Sequence, residues 1–354
     1  MSKKRWVYGF LSLSLSMVLG VGVLNYIVDP YSMTAFNVLG IPVKLVSDDR
    51  SEKISRIDRD FDFDNVLLGS SRVYLINPLM LSKYVGGNSY NLGVGTAQIE
   101  DHLGFLLHLE KENKFPKFVL MGLDFYAFNK NLETNKYFTR NKDLNFISNE
   151  VISGEFIGDF LSFDMFQASM KTLKTFIGMN KRESRFDENG ASVGASLEFN
   201  YFPKSSDVVD IYAVARENHD SDFIKSPPYE SVSDERLGYL ERVVDLCKRH
   251  HSNLVVFITP LYAQLMDDIH NDVSLSVRLD EFKNHVASIT DYYDFLTYNE
   301  VTKSSIYFQD PSHVKHTTGN LILARLFNDR SINVPEGFGV FRIKNKEVVE
   351  LSDE

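Results

Sequence analysis

The sequence predicts a three-layer α/β/α domain on a central, mainly parallel five-stranded sheet, with an N-terminal transmembrane helix and a mid-chain insertion. Two observations predict this fold class. Short apolar runs alternate with amphipathic helical patterns, which is typical of a parallel sheet with helices on both faces. An uncharged stretch from Trp6 to Val28 is long enough, at about 1.5 Å per residue, to cross a hydrocarbon core of about 30 Å.

The apolar stretch is preceded by Lys3-Lys4-Arg5 and followed by Asp29-Pro30-Tyr31. Basic residues stay on the cytoplasmic side of a membrane, so we expect a cytoplasmic N-terminus and an exported main domain. Proline cannot continue a helix, so the helix ends near residue 30. We therefore predict a cytoplasmic tip and an uncleaved anchor over residues 1–30. A cleaved signal peptide is the alternative.

The rest of the chain divides by its patterning. Residues 31–60 form a predicted linker, with an apolar patch at 38–46 and a charged run from Asp48 to Asp64 that is either a solvated linker or a helix lying on the domain. The main domain is predicted over 61–335 and an acidic, peripheral tail over 336–354. The predicted strands are 65–68, 89–92, 118–121, 253–260 and 292–295. The predicted helices are 78–84, 97–112, 234–250, 273–289 and 318–327.

The alternation of strands and helices breaks between about residues 129 and 232, where Asn, Lys, Asp, Phe and Ser predominate. We interpret this region as an insertion on the carboxyl edge of the sheet. Insertions at that edge shape a substrate site or contact a partner.

Composition excludes several function classes. The net charge of −10 argues against nucleic-acid binding, which requires a basic surface. The one cysteine, Cys247, lies in an apolar helical pattern and is interpreted as core packing. A single cysteine rules out an internal disulfide and a multi-cysteine metal site. We expect neither a metal nor another cofactor.

The residues that could take part in a reaction follow the predicted strands or lie in the loop before the last helix: Ser70, Ser71, Gly93, Gly95, Asp124, Asp310 and His313. Ligands bind at the carboxyl ends of strands in such sheets, so these segments are expected to converge. A serine hydroxyl needs a base to become a nucleophile. His313 has the right chemistry for that base, and Asp310 for orienting its imidazole. Gly93 or Gly95 would bring a backbone N–H close to a developing oxyanion.

Four segments, in this order and strand context, resemble the SGNH (GDSL-type) hydrolase superfamily, whose fold is flavodoxin-like: Gly69-Ser70-Ser71, Asn91-Leu92-Gly93-Val94-Gly95, Gly122-Leu123-Asp124 and Asp310-Pro311-Ser312-His313. The resemblance covers roughly residues 60–128 and 234–330. It implies that Ser71 is the nucleophile, that Gly95 or, second, Gly93 is the oxyanion glycine, and that Asp310 and His313 complete the triad.

Two residues depart from the family pattern. Ser70 stands in place of the usual Asp of the first block, and Asp124 stands where the third block has an Asn that donates to the oxyanion. An ionised carboxylate cannot donate, so Asp124 is expected to be protonated, to point elsewhere, or to be replaced by another donor. Ser70, Arg72, Asp124 and Asn91 are the candidates for the substrate pocket. Arg72 either binds an anionic substrate group or pairs with a nearby carboxylate.

An anchored, exported domain of this kind resembles the membrane-bound SGNH proteins of bacterial cell-envelope polysaccharide pathways. The resemblance implies a serine esterase or O-acyltransferase acting on acetyl-type esters of an envelope or exported polysaccharide, in the periplasm and on the cytoplasmic membrane. The alternative is a catalytically weak scaffold that binds glycan or a partner in a polysaccharide export or modification complex. Other envelope proteins are expected as partners, and nucleic acid is not.

Overall fold

The computed structural model describes residues 3–31, 39, 41, 49–60, 62–147, 158–178, 186–192, 210–213 and 227–345. Most of the apolar patch at 38–46, much of the predicted insertion and the end of the acidic tail lie outside the described residues. The chain divides into two compact units. One comprises Met1–Phe61 and Lys136–Glu183, and the other comprises Asp62–Asn135 and Ser184–Glu354.

The second unit is built on a six-stranded sheet in the order β2-β1-β3-β4-β5-β8. Strands β2, β1, β3, β4 and β5 run parallel to one another, and β8 runs antiparallel to β5. This confirms the mainly parallel α/β/α fold class. The strands are β1 Asn65–Leu68, β2 Ser89–Asn91, β3 Phe118–Leu123, β4 Asn253–Ile258, β5 Tyr292–Asp294, β6 Phe308–Asp310, β7 His313–Val314 and β8 Val340–Arg342.

The helices of this unit are α3 Pro78–Val85, α4 Ile99–Lys111, α7 Asp234–Arg249, α8 Ala263–Asn271, α9 Val273–Ile289 and α10 His316–Leu326. They pack as two groups, since α4 and α9 both contact α7, whereas α3 contacts α10. Two groups are expected where helices cover both faces of a sheet. Polar residues begin several of them: Asn77 Oδ1 accepts from Leu79 N ahead of α3, with Pro78 at the first helical position.

The apolar runs form strands because both faces of the sheet are covered. Every residue of β1 and β3 is buried, as expected of central strands in a parallel sheet. The order β2-β1-β3 means that the chain passes from β2 back across β1 to reach β3, so the direction of the connections reverses between β1 and β3. Such a reversal opens a crevice at the carboxyl ends of the strands. The ends of β1 and β3 therefore border the natural site of this fold.

The sheet has six strands, so the expected number of five is wrong. The added strand comes from the tail that was expected to be peripheral: Phe341 of β8 pairs with Tyr293 of β5. Arg342 also lies 3.6 Å from the buried carboxylate of Asp294. Three tail residues thus pair with the open edge of the sheet. The sequence did not predict this strand, because a short apolar run among charged residues does not show that a partner strand is available.

A second difference concerns the segment with Asp310 and His313, which was expected to be a loop. β6 and β7 form a separate two-stranded antiparallel hairpin, and Asp310 pairs with His313. Pro311 and Ser312 form its tight turn. The expected loop is therefore a constrained turn that fixes both side chains.

The first unit contains α1 Lys3–Val28, α2 Asp49–Asp60, α5 Lys136–Thr139 and α6 Phe163–Phe176. Among the described residues, α1 is the one helix long and apolar enough to cross a membrane, and a signal sequence would have the same length and composition. The charged run forms α2, in which Arg50 and Lys53 are buried. Over residues 49–60 the solvated-linker interpretation is therefore wrong.

Candidate active site

Ser71 lies at the start of a short 3₁₀ turn, Ser71–Val73, which follows β1 directly. The buried Ser70 caps this turn, because its Oγ accepts from Arg72 N at 3.2 Å. Val73 N also donates to Ser70 O at 3.1 Å. These bonds hold the half-buried Ser71 at the carboxyl end of the sheet.

Asp310 and His313 are fixed by the β6–β7 turn. One carboxylate oxygen, Asp310 Oδ1, accepts from Ser312 N at 2.8 Å, from Ser312 Oγ at 3.1 Å and from His313 N at 3.0 Å. The other, Oδ2, lies 2.7 Å from His313 Nδ1. The turn therefore points one edge of the imidazole at the carboxylate and leaves the other edge for a second partner.

That second partner is the hydroxyl of Ser71. Ser71 Oγ lies 2.8 Å from His313 Nε2, although the two residues are 242 positions apart. With Nδ1 protonated and donating to Asp310, Nε2 carries the lone pair that accepts the hydroxyl proton. The serine–imidazole–carboxylate chain has the distances that an activated serine requires.

The electrostatics of the carboxylate favour its ionised form. Burial alone would raise the pKa of Asp310, but the charge of His313, its hydrogen bond and those from Ser312 outweigh burial and bring the pKa below its usual value. The imidazole side chain is 18% exposed and the carboxylate 9%. The imidazole is therefore partly exposed, whereas the carboxylate is buried.

Asp124 forms a buried ion pair with Arg72. Its Oδ1 accepts from Arg72 Nη1 at 3.0 Å and also from the hydroxyl of Thr259. The side chains of Arg72 and Asp124 are 6% and 2% exposed. The guanidinium also lies 5.1 Å from the ring centroid of Tyr126. Asp124 thus fits the alternative in which its side chain points elsewhere. Arg72 fits the alternative in which it pairs with a nearby carboxylate.

Asn91 and Gly93 hold the same turn from the side of β2. Asn91 Nδ2 donates to Val73 O at 2.8 Å, and Asn91 Oδ1 accepts from Gly93 N at 2.8 Å. The N–H of Gly93 is therefore engaged. Ser70, Arg72, Asp124 and Asn91, the candidates for the substrate pocket, are all buried.

Three strand-end glycines surround the side chain of Val73. A Cβ at Gly69 would lie 2.6 Å from Val73 Cγ1, one at Gly93 would lie 2.6 Å from Val73 Cγ2, and one at Gly122 would lie 2.9 Å from Val73 Cγ1. Such contacts are too short for real side chains, so a larger residue would displace the valine. The glycines of this rim thus allow the turn after β1 to close onto the sheet.

Gly95 is placed differently from Gly93. It is half-buried, at the exposed end of the β2 segment, and the following Thr96 has a φ of +50°. On the serine side, the N–H of Arg72 is engaged by Ser70. The N–H of Ser71 has no backbone acceptor within the described part of the chain.

Residues 186–192, one described segment of the predicted insertion, contact the turn that carries Ser71. Ser192 N donates to Tyr74 O at 3.2 Å, and the rings of Tyr74 and Phe186 meet edge to face with centroids 5.3 Å apart. Asn189 O accepts from Asn91 N at 2.9 Å. Residues 186–192 thus pack on the edge strand β2 and on the site.

Sequence reasoning missed three residues that shape the site: Thr259, Val73 and Ser312. Thr259 was seen only as the end of a strand, and Val73 carries no polar atom. The short Asp-Pro-Ser-His segment does contain the signal for Ser312, because an Asp two residues ahead commonly accepts from the backbone N–H.

No family model and no curated protein matches the chain in sequence. Among solved structures, one that matches is a crystal structure of a Bacteroides fragilis protein described as a candidate acylhydrolase. It is 12% identical, with a TM-score of 0.33, and the match covers 75% of this chain and 86% of that one. A likeness at that TM-score carries no argument about function, so the assignment depends on the geometry of the site itself.

Proposed function

We propose that the chain is a membrane-anchored serine esterase or O-acyltransferase that acts on acyl esters, of acetyl type, in an envelope or exported polysaccharide. One observation carries the proposal. Ser71 Oγ, His313 and Asp310 form a continuous chain with contacts of 2.8 and 2.7 Å. Two distant parts of the sequence meet at the carboxyl edge of the sheet to make it.

The reaction follows from these contacts. Ser71 Oγ attacks the acyl carbonyl carbon while its proton passes to His313 Nε2, and Asp310 stabilises the resulting imidazolium. The tetrahedral intermediate collapses, the ester C–O bond breaks, and the leaving alkoxide takes the proton from His313. Water or a sugar hydroxyl then gives its proton to His313 Nε2 and attacks the carbonyl carbon of the acyl-enzyme. The bond between that carbon and Ser71 Oγ breaks, and Oγ takes the proton back from His313.

The oxyanion would be stabilised by backbone N–H groups. Ser71 N is one candidate, because the neighbouring N–H of Arg72 already donates to Ser70. Gly95 N is the other candidate, as the glycine that the family resemblance implies, since the N–H of Gly93 donates to Asn91. Losing one such donor typically costs about 3 kcal/mol of transition-state stabilisation. Asp124 supplies no donor, since its Oδ1 accepts from Arg72 and Thr259.

Location and substrate follow from the rest of the chain. α1 has the length and composition of a membrane span, and the basic residues before it favour a cytoplasmic N-terminus. The catalytic unit would then face the periplasm of a bacterial cell, where acylated envelope glycans occur. The half-buried Ser71 suits an ester displayed on a large substrate.

A serine-directed fluorophosphonate tests the nucleophile. We expect the full-length protein in detergent to be labelled, and Ser71→Ala to abolish labelling. Ser288→Ala is the matched control, because Ser288 is an exposed serine on α9 that bonds only to His285 O in its own helix. Labelling that survives Ser71→Ala would remove Ser71 as the nucleophile.

The scaffold alternative has one observation in its favour. Asp124, at the end of β3, is committed to Arg72 and gives no hydrogen bond to an oxyanion. If the wild-type protein resists the probe and yet retains an acetylated glycan in a pull-down, the domain is a binding protein rather than an esterase.

A further inference from the structure

The carboxyl end of α1 is packed against the segment that leads into α6, within the first unit. Asn25 is buried, and its Nδ2 donates to Phe160 O at 2.7 Å. Leu161 lies so close to α1 that a Cβ at Gly22 would be 2.8 Å from its Cδ2. The ring of Tyr26 also meets that of Phe160 edge to face, with centroids 5.6 Å apart.

These contacts reach into the apolar part of α1 rather than only its end. Gly22 is 16 residues beyond Trp6, which is about 24 Å along a helix, within a hydrocarbon core of about 30 Å. Polar side chains at membrane depth usually pair with one another or with backbone carbonyls, as Asn25 Nδ2 does with Phe160 O. Leu161, which is 43% exposed, is therefore at the depth of acyl chains.

α6 continues this apolar surface. Phe163 is 69% exposed and Ile177, just after the helix, is 63% exposed. Between them Phe166, Met170 and Leu173 are partly exposed. The five lie three or four residues apart, on one side of the helix. The opposite side buries other residues: Met165, Ala168, Ser169 and Thr172.

We propose that Leu161 and one stripe of α6 insert into the membrane–water interface around α1, on the exported side of the cytoplasmic membrane. The stripe consists of Phe163, Phe166, Met170, Leu173 and Ile177. The inference rests on the proposed anchoring by α1. The bilayer is the occupant that the contacts favour, because Leu161 lies against Gly22 of α1 and is two residues from Phe163, the first residue of the stripe, while the apolar residues of α1 are themselves exposed. The exposed Lys171 and Lys174 flank the stripe, where ammonium groups meet anionic headgroups.

Tryptophan fluorescence in nanodiscs tests this placement, because Trp6 is the one tryptophan of the chain. In a Trp6→Phe background, we would compare Phe163→Trp with Asp164→Trp. The two positions are adjacent in the chain but about 100° apart around α6, and both are exposed. The quenchers are phospholipids brominated on the acyl chain and aqueous iodide.

We expect the Phe163→Trp variant to emit at shorter wavelength, to lose most of its emission to brominated lipid, and to resist iodide, with the reverse for Asp164→Trp. Equal quenching of both variants by iodide would place the stripe in water and overturn the proposal. Protection of position 163 from both quenchers would show a protein partner or a second copy, which also overturns it. Trp6 in the wild type reports α1 separately: if brominated lipid does not quench it, the anchor itself is wrong.

Discussion

Asp310 and Asp124 are both buried carboxylates, but they are placed differently and have different proposed roles. Asp310 accepts from residues of its own turn and contacts an imidazole that is partly exposed. Asp124 pairs with Arg72, which is 52 positions away, and both side chains are almost fully buried. In the proposed mechanism the first pair takes part in proton transfer, because its imidazole exchanges protons with the substrate. The second pair has a structural role, because both of its charges are buried.

The largest expected effect separates the two roles by activity. Asp310→Asn removes the charge that orients His313, so we expect kcat for a simple acetyl ester to fall by about 10⁴-fold. Ester hydrolysis by the purified protein measures it. Asp245→Asn is the control, because Asp245 is an exposed aspartate in α7. A variant at residue 310 that keeps a tenth of the wild-type rate would contradict the triad.

The next effect is on stability. Arg72→Met leaves the Asp124 carboxylate buried and without its guanidinium, which typically lowers the free energy of unfolding by about 3–5 kcal/mol. Urea unfolding in detergent, followed by circular dichroism, measures it. The double variant Arg72→Met with Asp124→Leu removes both charges and should recover much of the loss. If the single variant is as stable as the wild type, the pair does not hold the turn.

The smallest effect concerns pH. The folded-state pKa of Asp310 is lowered, so its carboxylate contributes stability that is fully present above the unfolded value of about 3.9 and is lost as pH falls through the folded pKa. Wild type and Asp310→Asn should therefore differ in unfolding free energy at neutral pH and converge below about pH 4. A difference that stays constant with pH would mean that the asparagine variant is weakened by packing instead.

The parts of the molecule that sequence predicted best are those governed by local pattern. β1 and α9 follow from an apolar run and a helical period, and α9 has the expected bounds. Cys247 is buried as expected, and burial raises the pKa of its thiol to about 12. The convergence of Ser71, His313 and Asp310 depends on a different argument, the rule that strand ends meet at one edge of the sheet, and their catalytic roles stay a prediction.

What sequence did not predict depends on partners distant in the chain. β8 exists because β5 has an open edge, and nothing in Val340–Arg342 identifies that edge. Thr259 matters because its hydroxyl faces Asp124, a fact of register between β3 and β4. Likewise, the glycines of the rim are needed because Val73 fills the space that a side chain would take. The sequence pattern therefore did not show whether these glycines serve packing or oxyanion binding.

The separation of Ser71 from His313 also has a consequence during biosynthesis. The base is 242 positions downstream of the hydroxyl, and at 5–20 residues per second a ribosome needs roughly 12 to 48 s to reach it. Throughout that interval the emerging polypeptide has the Ser71 hydroxyl without the imidazole of His313. In the proposed mechanism, a product that ends before the β6–β7 hairpin would therefore be inactive, and activity would begin only after residue 313 has been made.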